Sequence, residues 1–234
     1  MYSKGFNIAL VGNPNTGKST LFTRLTGKKT AVGNFAGVTV EACSAKGTTP
    51  GSEDWTLIDL PGIYNLHAQT DDGRITENAL LNPNSGIAPD MVWIIADRST
   101  LQGQLFLAHQ IKELEMPCVL LLNRMAHEST DPKLCEILEK GLGFPVREIH
   151  ALRDKPQNWV KELGPLNHVP QACNVIRAIP ENMDEGLAIL KQAMPKATLG
   201  YLCHIARMSE APDWLTEEEL EAWRKEYPDV YDMV

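Results

Sequence analysis

Residues 12–20 read Gly12-Asn13-Pro14-Asn15-Thr16-Gly17-Lys18-Ser19-Thr20, and they follow the apolar run 6–11 directly. Their spacing fits the phosphate-binding pattern G-x-x-x-x-G-K-[ST], which requires a strand before it and a helix after it. An apolar segment of helical period follows, so the sequence meets both requirements. We therefore predict a loop whose backbone N–H groups, at the positive end of a helix, bind the phosphates of a nucleotide.

Three side chains around this loop have predicted roles in phosphate chemistry. Lys18 would neutralise the terminal phosphates, and the Ser19 hydroxyl would ligate Mg²⁺. Downstream, residues 56–62 form an apolar strand that ends in Asp59 and continues as Leu-Pro-Gly. This pattern predicts Asp59 at the carboxyl edge of the sheet, where it can hold Mg²⁺, and it brings the Gly62 N–H close to the γ-phosphate.

The segment between these two motifs, residues 32–41, is rich in glycine and contains Thr39. A threonine here could complete the Mg²⁺ shell with the triphosphate bound and release it after hydrolysis, which is the order–disorder switch of GTPases. As a bare sequence, the same segment also fits a glycine-rich loop that enters a strand.

Residues 12–20, 32–41 and 59–64 together resemble the cytosolic G domain of the bacterial ferrous iron transporter B (FeoB) family. The resemblance covers about residues 6–150, and residues 32–41 are its most discriminating part. It implies nucleotide-gated Fe²⁺ uptake, GTP and GDP as ligands, and a membrane-embedded iron-transport portion as partner. It also implies a K⁺ ion that speeds hydrolysis, bound by residues matching Asn15, Gly33 and Asn34.

The residue after Gly62 is Ile63, where Ras-like proteins carry a glutamine that orients the attacking water. Backbone groups or a monovalent cation would then have to position the water and stabilise charge. We therefore expect slow intrinsic hydrolysis, with Lys18, Asn15, Thr39 and Gly62 as the catalytic set.

The base-recognition motif departs from the family pattern. Asn-x-x-Asp is expected after the fifth strand, but the sequence reads Asn123-Arg124-Met125-Ala126. Losing the aspartate removes charge-assisted hydrogen bonds to guanine worth roughly 1.5–3 kcal/mol, or about ten- to a hundred-fold in affinity. Guanine selectivity is therefore left open. Glu128 or Asp131 could substitute for the aspartate only if the loop is remodelled.

The second base-contacting motif, commonly Ser-Ala-Leu, aligns with His150-Ala151-Leu152, whose backbone N–H could meet the guanine oxygen. The predicted nucleotide-binding residues are Gly12, Asn13, Pro14, Asn15, Thr16, Gly17, Lys18, Ser19, Thr20, Gly33, Asn34, Asp59, Gly62, Asn123, Met125, His150, Ala151 and Leu152. The predicted Mg²⁺ ligands are Ser19, Thr39 and Asp59.

The alternation of apolar runs with segments of helical period predicts an α/β fold of the P-loop NTPase, Ras-like type. We expect a mostly parallel six-stranded sheet with helices on both faces and a short helical C-terminal appendage. Strands are predicted near 6–11, 38–44, 55–60, 90–96, 117–122 and 145–149, and helices near 18–26, 101–114 and 132–142. Residues 174–179 are an alternative last strand. A capping pattern predicts a helix near 216–227.

We expect a G domain over residues 1–165 and an atypical, partly helical C-terminal region over 166–234. The net charge of −8 comes almost entirely from residues 210–234, which hold nine acids against Arg224 and Lys225. This balance argues against nucleic acid as a partner. The acids at 216–227 are read as a solvated helix face rather than an iron site.

The five cysteines have no paired spacing, so we expect reduced structural thiols, with Cys203-His204 also structural. No apolar run reaches the length of a membrane span, and the first strand begins almost at once. We therefore expect a cytoplasmic domain, on the cytosolic face of the inner membrane if it belongs to a full transporter.

Two functions from different classes fit these observations. The first is a slowly hydrolysing GTP switch that regulates ferrous iron transport across the bacterial inner membrane. The second is a nucleotide-binding module with relaxed specificity for GTP or ATP and little or no turnover. The intact lysine and Mg²⁺ set favours the first, and Ala126 favours the second. The sequence leaves the oligomeric state open, a homo-oligomer included.

Overall fold

A computed structural model describes residues 6–27, 32–33, 42–47, 55–66, 70–82, 85, 89–114, 116–124, 128–154, 159 and 163. In these ranges the strands are β1 (Phe6–Val11), β2 (Val32–Gly33), β3 (Ala42–Gly47), β4 (Trp55–Asp59), β5 (Met91–Asp97), β6 (Cys118–Asn123) and β7 (Val146–Ile149). The α-helices are α1 (Lys18–Thr26), α2 (Asp71–Leu81), α3 (Leu101–Glu113) and α4 (Pro132–Leu142). A short 3₁₀ turn (Arg98–Thr100) leads into α3.

The described strands form one sheet in the order β2-β3-β4-β1-β5-β6-β7. Strands β4, β1, β5, β6 and β7 run parallel, whereas β3 pairs antiparallel with β4 and β2 antiparallel with β3. The first strand therefore lies in the middle of the sheet, with its later neighbours added on either side. In open α/β sheets this reversal of strand order opens a ligand crevice at the carboxyl edge.

Both faces of the sheet are buried, and the side chains alternate between two cores. On β1, Ala9 and Val11 belong to the core that also contains residues of α2, α3 and α4. Ile8 and Leu10 belong to the opposite core, with residues of α1 and the distant Trp159 and Leu163. Alternation with a period of two is what a strand covered by helices on both sides requires.

The mostly parallel sheet with helices on both faces confirms the predicted fold class. Six strands correspond to the six predicted, and the two-residue β2 is an additional edge strand. The strand expected near 38–44 begins at Ala42 and extends to Gly47, while residues 38–41 lie outside the described ranges. Among the described residues, the last parallel strand is Val146–Ile149, which corresponds to the strand predicted near 145–149.

The sequence interpretation missed α2. Thr70 caps this helix, its side chain accepting a hydrogen bond from Gly73 N, and two acids occupy the first turn. Gly73 in that turn and the polar character of residues 70–78 hid the helical pattern. The signal was present in the cap and in Ile75, Ala79 and Leu80, which are buried at helical spacing.

The C-terminal predictions fall outside the described residues, namely the alternative strand 174–179, the helix near 216–227, and Cys173, Cys203 and His204. Cys43, Cys118 and Cys135, the cysteines within the described ranges, form no disulfide with one another. In the part of the chain that the structure describes, no helix is both long and apolar enough to cross a bilayer.

Candidate nucleotide-binding site

The loop between β1 and α1 is held in place by hydrogen bonds from Lys18, the first residue of α1. Lys18 is 6% exposed, and its Nζ donates to the main-chain oxygens of Gly12 at 3.0 Å and Asn13 at 2.9 Å. Thr16 Oγ1 donates to the same Asn13 oxygen at 2.9 Å. An ammonium has three hydrogens, so one Lys18 donor is left for a ligand oxygen.

The N-terminus of α1 is suited to an anion. Its N-cap, Gly17, has φ 100° and makes no side-chain capping hydrogen bond, and no acid occupies the first turn. By contrast, Thr70 and Asp131 cap α2 and α4 with their side chains. The first N–H groups of a helix have no intrahelical partner, and the helix dipole favours negative charge there. Phosphate oxygens would satisfy these groups.

Gly17 is needed for its backbone conformation and for a close approach. Its positive φ is unfavourable for residues with a side chain. A Cβ at this position would also lie 2.7 Å from Asn123 Nδ2. Asn15 also has a left-handed backbone conformation, with φ 65°, which asparagine tolerates better than most residues do.

Asp59 ends β4 beside the loop, with Leu10 of β1 as its register partner. One of its oxygens, Oδ1, is buried without a hydrogen-bond partner among the described residues. Burial raises the pKa of the Asp59 carboxyl, while a hydrogen bond from Ser19 and the charge of Lys18 oppose this rise. Burial likewise lowers the pKa of Lys18, and the charge of Asp59 opposes that change.

This pair of opposite charges, a buried Lys18 and a half-buried Asp59, fits a bound cation and its anionic ligand. A divalent ion at Asp59 Oδ1 and the neighbouring Ser19 hydroxyl would replace the solvation that Asp59 loses on burial. Thr39, the third predicted Mg²⁺ ligand, lies outside the described residues. Of the three predicted K⁺ ligands, Asn15 is exposed, Gly33 ends β2 and Asn34 is outside the described ranges.

The segment after Asp59 is tied to the phosphate loop and to two helices. Ile63 N donates to Gly12 O at 3.1 Å, and Thr76 Oγ1 of α2 donates to Pro61 O at 2.9 Å. From α3, Gln110 Oε1 accepts from Leu66 N at 2.9 Å. Sequence reasoning missed Thr76 and Gln110, because contacts over 15 and 44 residues leave no local pattern.

Gly62 lies against the phosphate loop. A Cβ placed on it would come 2.9 Å from Pro14 N and 3.0 Å from Lys18 Nζ. The backbone of Gly62 is therefore next to the lysine that we assign to the terminal phosphates. This is the proximity that a γ-phosphate contact requires.

Asn123 connects the phosphate loop to the second base motif. Its Nδ2 donates to Thr16 O at 3.0 Å, and its Oδ1 accepts from Ala151 N at 3.0 Å. The motif's other N–H groups are also used within the protein, since His150 N donates to Asp154 Oδ2 and Leu152 N to His150 Nδ1. Guanidinium nitrogens of Arg24 on α1 donate to the oxygens of Leu152 and Asp154.

Met125 and Ala126 lie outside the described residues, but Asp131 does not. Asp131 Oδ1 caps α4 by accepting from Leu134 N at 3.1 Å, and Oδ2 lies 3.8 Å from Arg98. Arg98 also pairs with Glu148 at 2.7 Å and donates to Ser129 O at 2.6 Å. The Asp131 carboxylate thus stabilises α4 and the loop before it, which argues against a hydrogen bond from the nucleotide base to Asp131.

Comparison with known proteins gives consistent matches. The family model described as ferrous iron transport protein B matches residues 6–163. The Fe(2+) transporter FeoB of Escherichia coli (strain K12) is 36% identical over 154 residues, which cover 65% of this chain and 20% of that protein. The chain thus spans about a fifth of the length of the curated relatives it matches.

Solved structures agree. The G domain of the T. maritima FeoB iron transporter is 33% identical, with 68% of this chain and 96% of that chain covered and a TM-score of 0.56. An S. thermophilus NFeoB mutant bound to GDP is 26% identical, with 98% and 89% covered and a TM-score of 0.70.

Proposed function

Because this chain belongs to the ferrous iron transport protein B (FeoB) family, we propose that it is a guanine-nucleotide switch that hydrolyses GTP slowly. One observation carries the proposal: the buried side chain of Lys18, the buried Oδ1 of Asp59 and the backbone of Gly62 all lie at the same phosphate loop. The solved relative bound to GDP supports the choice of a guanine nucleotide.

The proposed reaction is attack of water on the γ-phosphate, in line with the leaving oxygen. Lys18 binds the terminal phosphate oxygens through the donor not used by Gly12 and Asn13. The Gly62 N–H orients the γ-phosphate, and the N–H groups at the start of α1 hold the remaining phosphates. Ser19, Thr39 and Asp59 would hold Mg²⁺, which would supply electrostatic stabilisation of the charge that develops on the transferring group.

Slow turnover follows from the side chain at position 63. Ile63 is 5% exposed and belongs to the core that contains residues of α2, α3 and α4. Its side chain therefore offers no polar group to the attacking water. Asn15, Gly33 and Asn34 would hold a K⁺ ion, which would compensate in part by stabilising the charge on the transferring group.

We further propose that residues 1–165 form the G domain and residues 166–234 an atypical, partly helical C-terminal region, and that the partner of the chain is a membrane-embedded iron-transport portion. Trp159 and Leu163 are buried in the core that also contains residues of α1, and they are four residues apart, which is about one helical turn. The family match also ends at residue 163. The domain would then lie on the cytosolic face of the inner membrane.

The same buried Ile63, together with Ala126 in the sequence, favours a second candidate: a nucleotide-sensing module with little or no turnover. The two are separated by measuring Mg²⁺-dependent binding and hydrolysis of GTP and ATP, in K⁺ and in Na⁺, with Lys18→Ala as the blank. GTP turnover that K⁺ stimulates and Lys18→Ala abolishes supports the switch. Tight binding with turnover equal to the blank supports the module and overturns the enzyme.

A further inference from the structure

The peptide bond between Pro61 and Gly62 is held on its carbonyl side by α2. Thr76 Oγ1 donates to Pro61 O at 2.9 Å, and Thr76 is completely buried. Ala79 and Leu80 of the same helix belong to the core that covers one face of the sheet. Because moving α2 would expose these apolar side chains, the helix holds the Thr76 hydroxyl at a fixed place beside Pro61.

The hydroxyl of Thr76 serves this contact rather than the helix. A β-branched residue inside a helix loses side-chain freedom, so threonine is not favoured there for its own sake. A threonine hydroxyl in a helix often bonds the carbonyl four residues earlier, as Thr26 of α1 does with Phe22 O at 2.8 Å. Thr76 instead reaches a residue that lies outside its own helix.

The main-chain donors of residues 60–63 are used by the protein, with one exception. Leu60 N donates to Leu10 O at 3.3 Å, and Ile63 N donates to Gly12 O at 3.1 Å. Residue 61 is a proline and has no N–H. The N–H of Gly62 is therefore the one donor of this segment that makes no hydrogen bond to another described residue. Gly62 is half-buried rather than enclosed in a core.

Peptide geometry connects the bound carbonyl with the unused donor. The bond between Pro61 and Gly62 is trans, and in a planar trans peptide the C=O and the N–H point in opposite directions. By fixing the direction of Pro61 O, the Thr76 hydroxyl also fixes the direction of the Gly62 N–H, which points away from Thr76. Gly62 itself lies against the phosphate loop, since a Cβ on it would be 3.0 Å from Lys18 Nζ.

We propose that Thr76 is a positioning residue for GTP hydrolysis, because its hydroxyl sets the direction of the Gly62 N–H. This inference rests on the proposed function, in which that N–H orients the γ-phosphate. Without the hydroxyl, the peptide between Pro61 and Gly62 is free to rotate, and the donor is turned from the γ-phosphate for part of the time. A diphosphate has no γ-phosphate, so the hydroxyl should matter for GTP and not for GDP.

Thr76→Val and Thr76→Ser test this role in the presence of Mg²⁺. Thr76→Val keeps the branched shape and loses the hydroxyl, and we expect it to slow single-turnover hydrolysis of GTP at saturating protein about tenfold. Its affinity for GMPPNP, a triphosphate analogue that resists hydrolysis, should fall about threefold, while its affinity for GDP should stay within about twofold. Thr76→Ser keeps the hydroxyl and should hydrolyse GTP within about threefold of the unchanged rate.

Thr26→Val is the matched control, because it also removes a threonine hydroxyl that donates to a main-chain oxygen. Thr26 ends α1, away from the phosphate loop, so its rate should stay within about twofold of the unchanged rate. Three results would overturn the positioning role of Thr76: an unchanged rate in Thr76→Val, an equal loss of affinity for GDP and GMPPNP, or a Thr76→Ser as slow as Thr76→Val.

A second pair of variants covers the case in which Thr76→Val does not fold. Thr76→Ala and Thr76→Ser differ by one oxygen atom, and the same tenfold difference in rate is expected between them, about what one lost donor contact implies. Equal rates in this pair would also overturn the role. If the unchanged protein hydrolyses GTP no faster than Lys18→Ala does, the proposed function itself fails, and this inference with it.

Discussion

The side-chain amide of Asn123 donates to the main-chain oxygen of Thr16 at 3.0 Å, across 107 residues of sequence. Its oxygen accepts from Ala151 N, so one side chain joins the phosphate loop to the base-side loop. Asn123→Ala removes both hydrogen bonds and leaves buried groups unpaired. We expect a loss of roughly 1–3 kcal/mol in unfolding free energy and at least about tenfold in GDP affinity.

Thermal melts and GDP titrations check this prediction, with Gln102→Ala, an exposed residue of α3, as control. A melting temperature for Asn123→Ala equal to that of the control would contradict a structural role for the bridge.

Two glycines form a matched pair of tests. Gly62→Ala forces a methyl group to 2.9 Å from Pro14 N, a backbone atom that cannot swing aside. Gly103 lies within α3 with open space around it, so Gly103→Ala should stabilise the protein by about 0.5–1 kcal/mol through helix propensity. We expect Gly62→Ala to be destabilised and to lose at least about tenfold in hydrolysis rate.

Chemical denaturation and single-turnover hydrolysis of GTP measure both quantities. Full hydrolysis by Gly62→Ala would show that the backbone of Gly62 is not close to the transferring phosphate.

Asp59 holds its charge at a cost to stability, because burial raises the pKa of its carboxyl. Asp59→Asn removes that charge and keeps the shape. Without ligand, we expect a higher melting temperature at neutral pH than the unchanged protein has. In the presence of GTP, Mg²⁺ should no longer raise the melting temperature, since the carboxylate ligand is lost. A variant that melts lower than the unchanged protein in both conditions would contradict this account.

Asp131 serves α4 rather than the base. Asp131→Ala removes the N-cap and should cost about 1 kcal/mol of stability. Asp131→Asn keeps a capping oxygen and loses only the partly exposed pairing with Arg98 at 3.8 Å, which should cost little. Neither change should alter the GDP-to-ADP affinity ratio. A selective loss of GDP binding in Asp131→Asn would instead identify Asp131 as a substitute for the missing aspartate.

Cys118 introduces a pH dependence in the alkaline range. Burial raises the pKa of its thiol from 9.0 to about 12. The unfolded chain releases this proton above pH 9 and the folded protein does not. The free energy of unfolding is therefore not lowered by this thiol below pH 9, and it falls by about 1.4 kcal/mol per pH unit between pH 9 and about 12.

Cys118→Val abolishes this term while filling a similar volume in β6. We expect the melting temperatures of the two proteins to differ by a constant amount from pH 7 to 9. Above pH 9 the unchanged protein should lose stability faster. A constant difference between the two melting temperatures up to pH 11 would show instead that the thiol ionises in the folded state.

Much of the fold was predictable, because its signals are local. Apolar runs such as Met91–Asp97 and Cys118–Asn123 are strand-length, and their spacing from helical segments indicates parallel pairing. The helix α2 was missed because Gly73 lies in its first turn and its apolar face is interrupted by polar residues. Its burial against the sheet, not its intrinsic propensity, stabilises it.

The sequence alone determined the phosphate loop, since residues 12–20 carry the turn, the lysine and the helix start within one short segment. Only the tertiary structure decided how that loop is supported. Asn123 reaches Thr16, Gln110 reaches Leu66, and Thr76 reaches Pro61. These arrangements arise when strands distant in sequence become neighbours in the sheet, so their hydrogen bonds depend on packing geometry that no local pattern encodes.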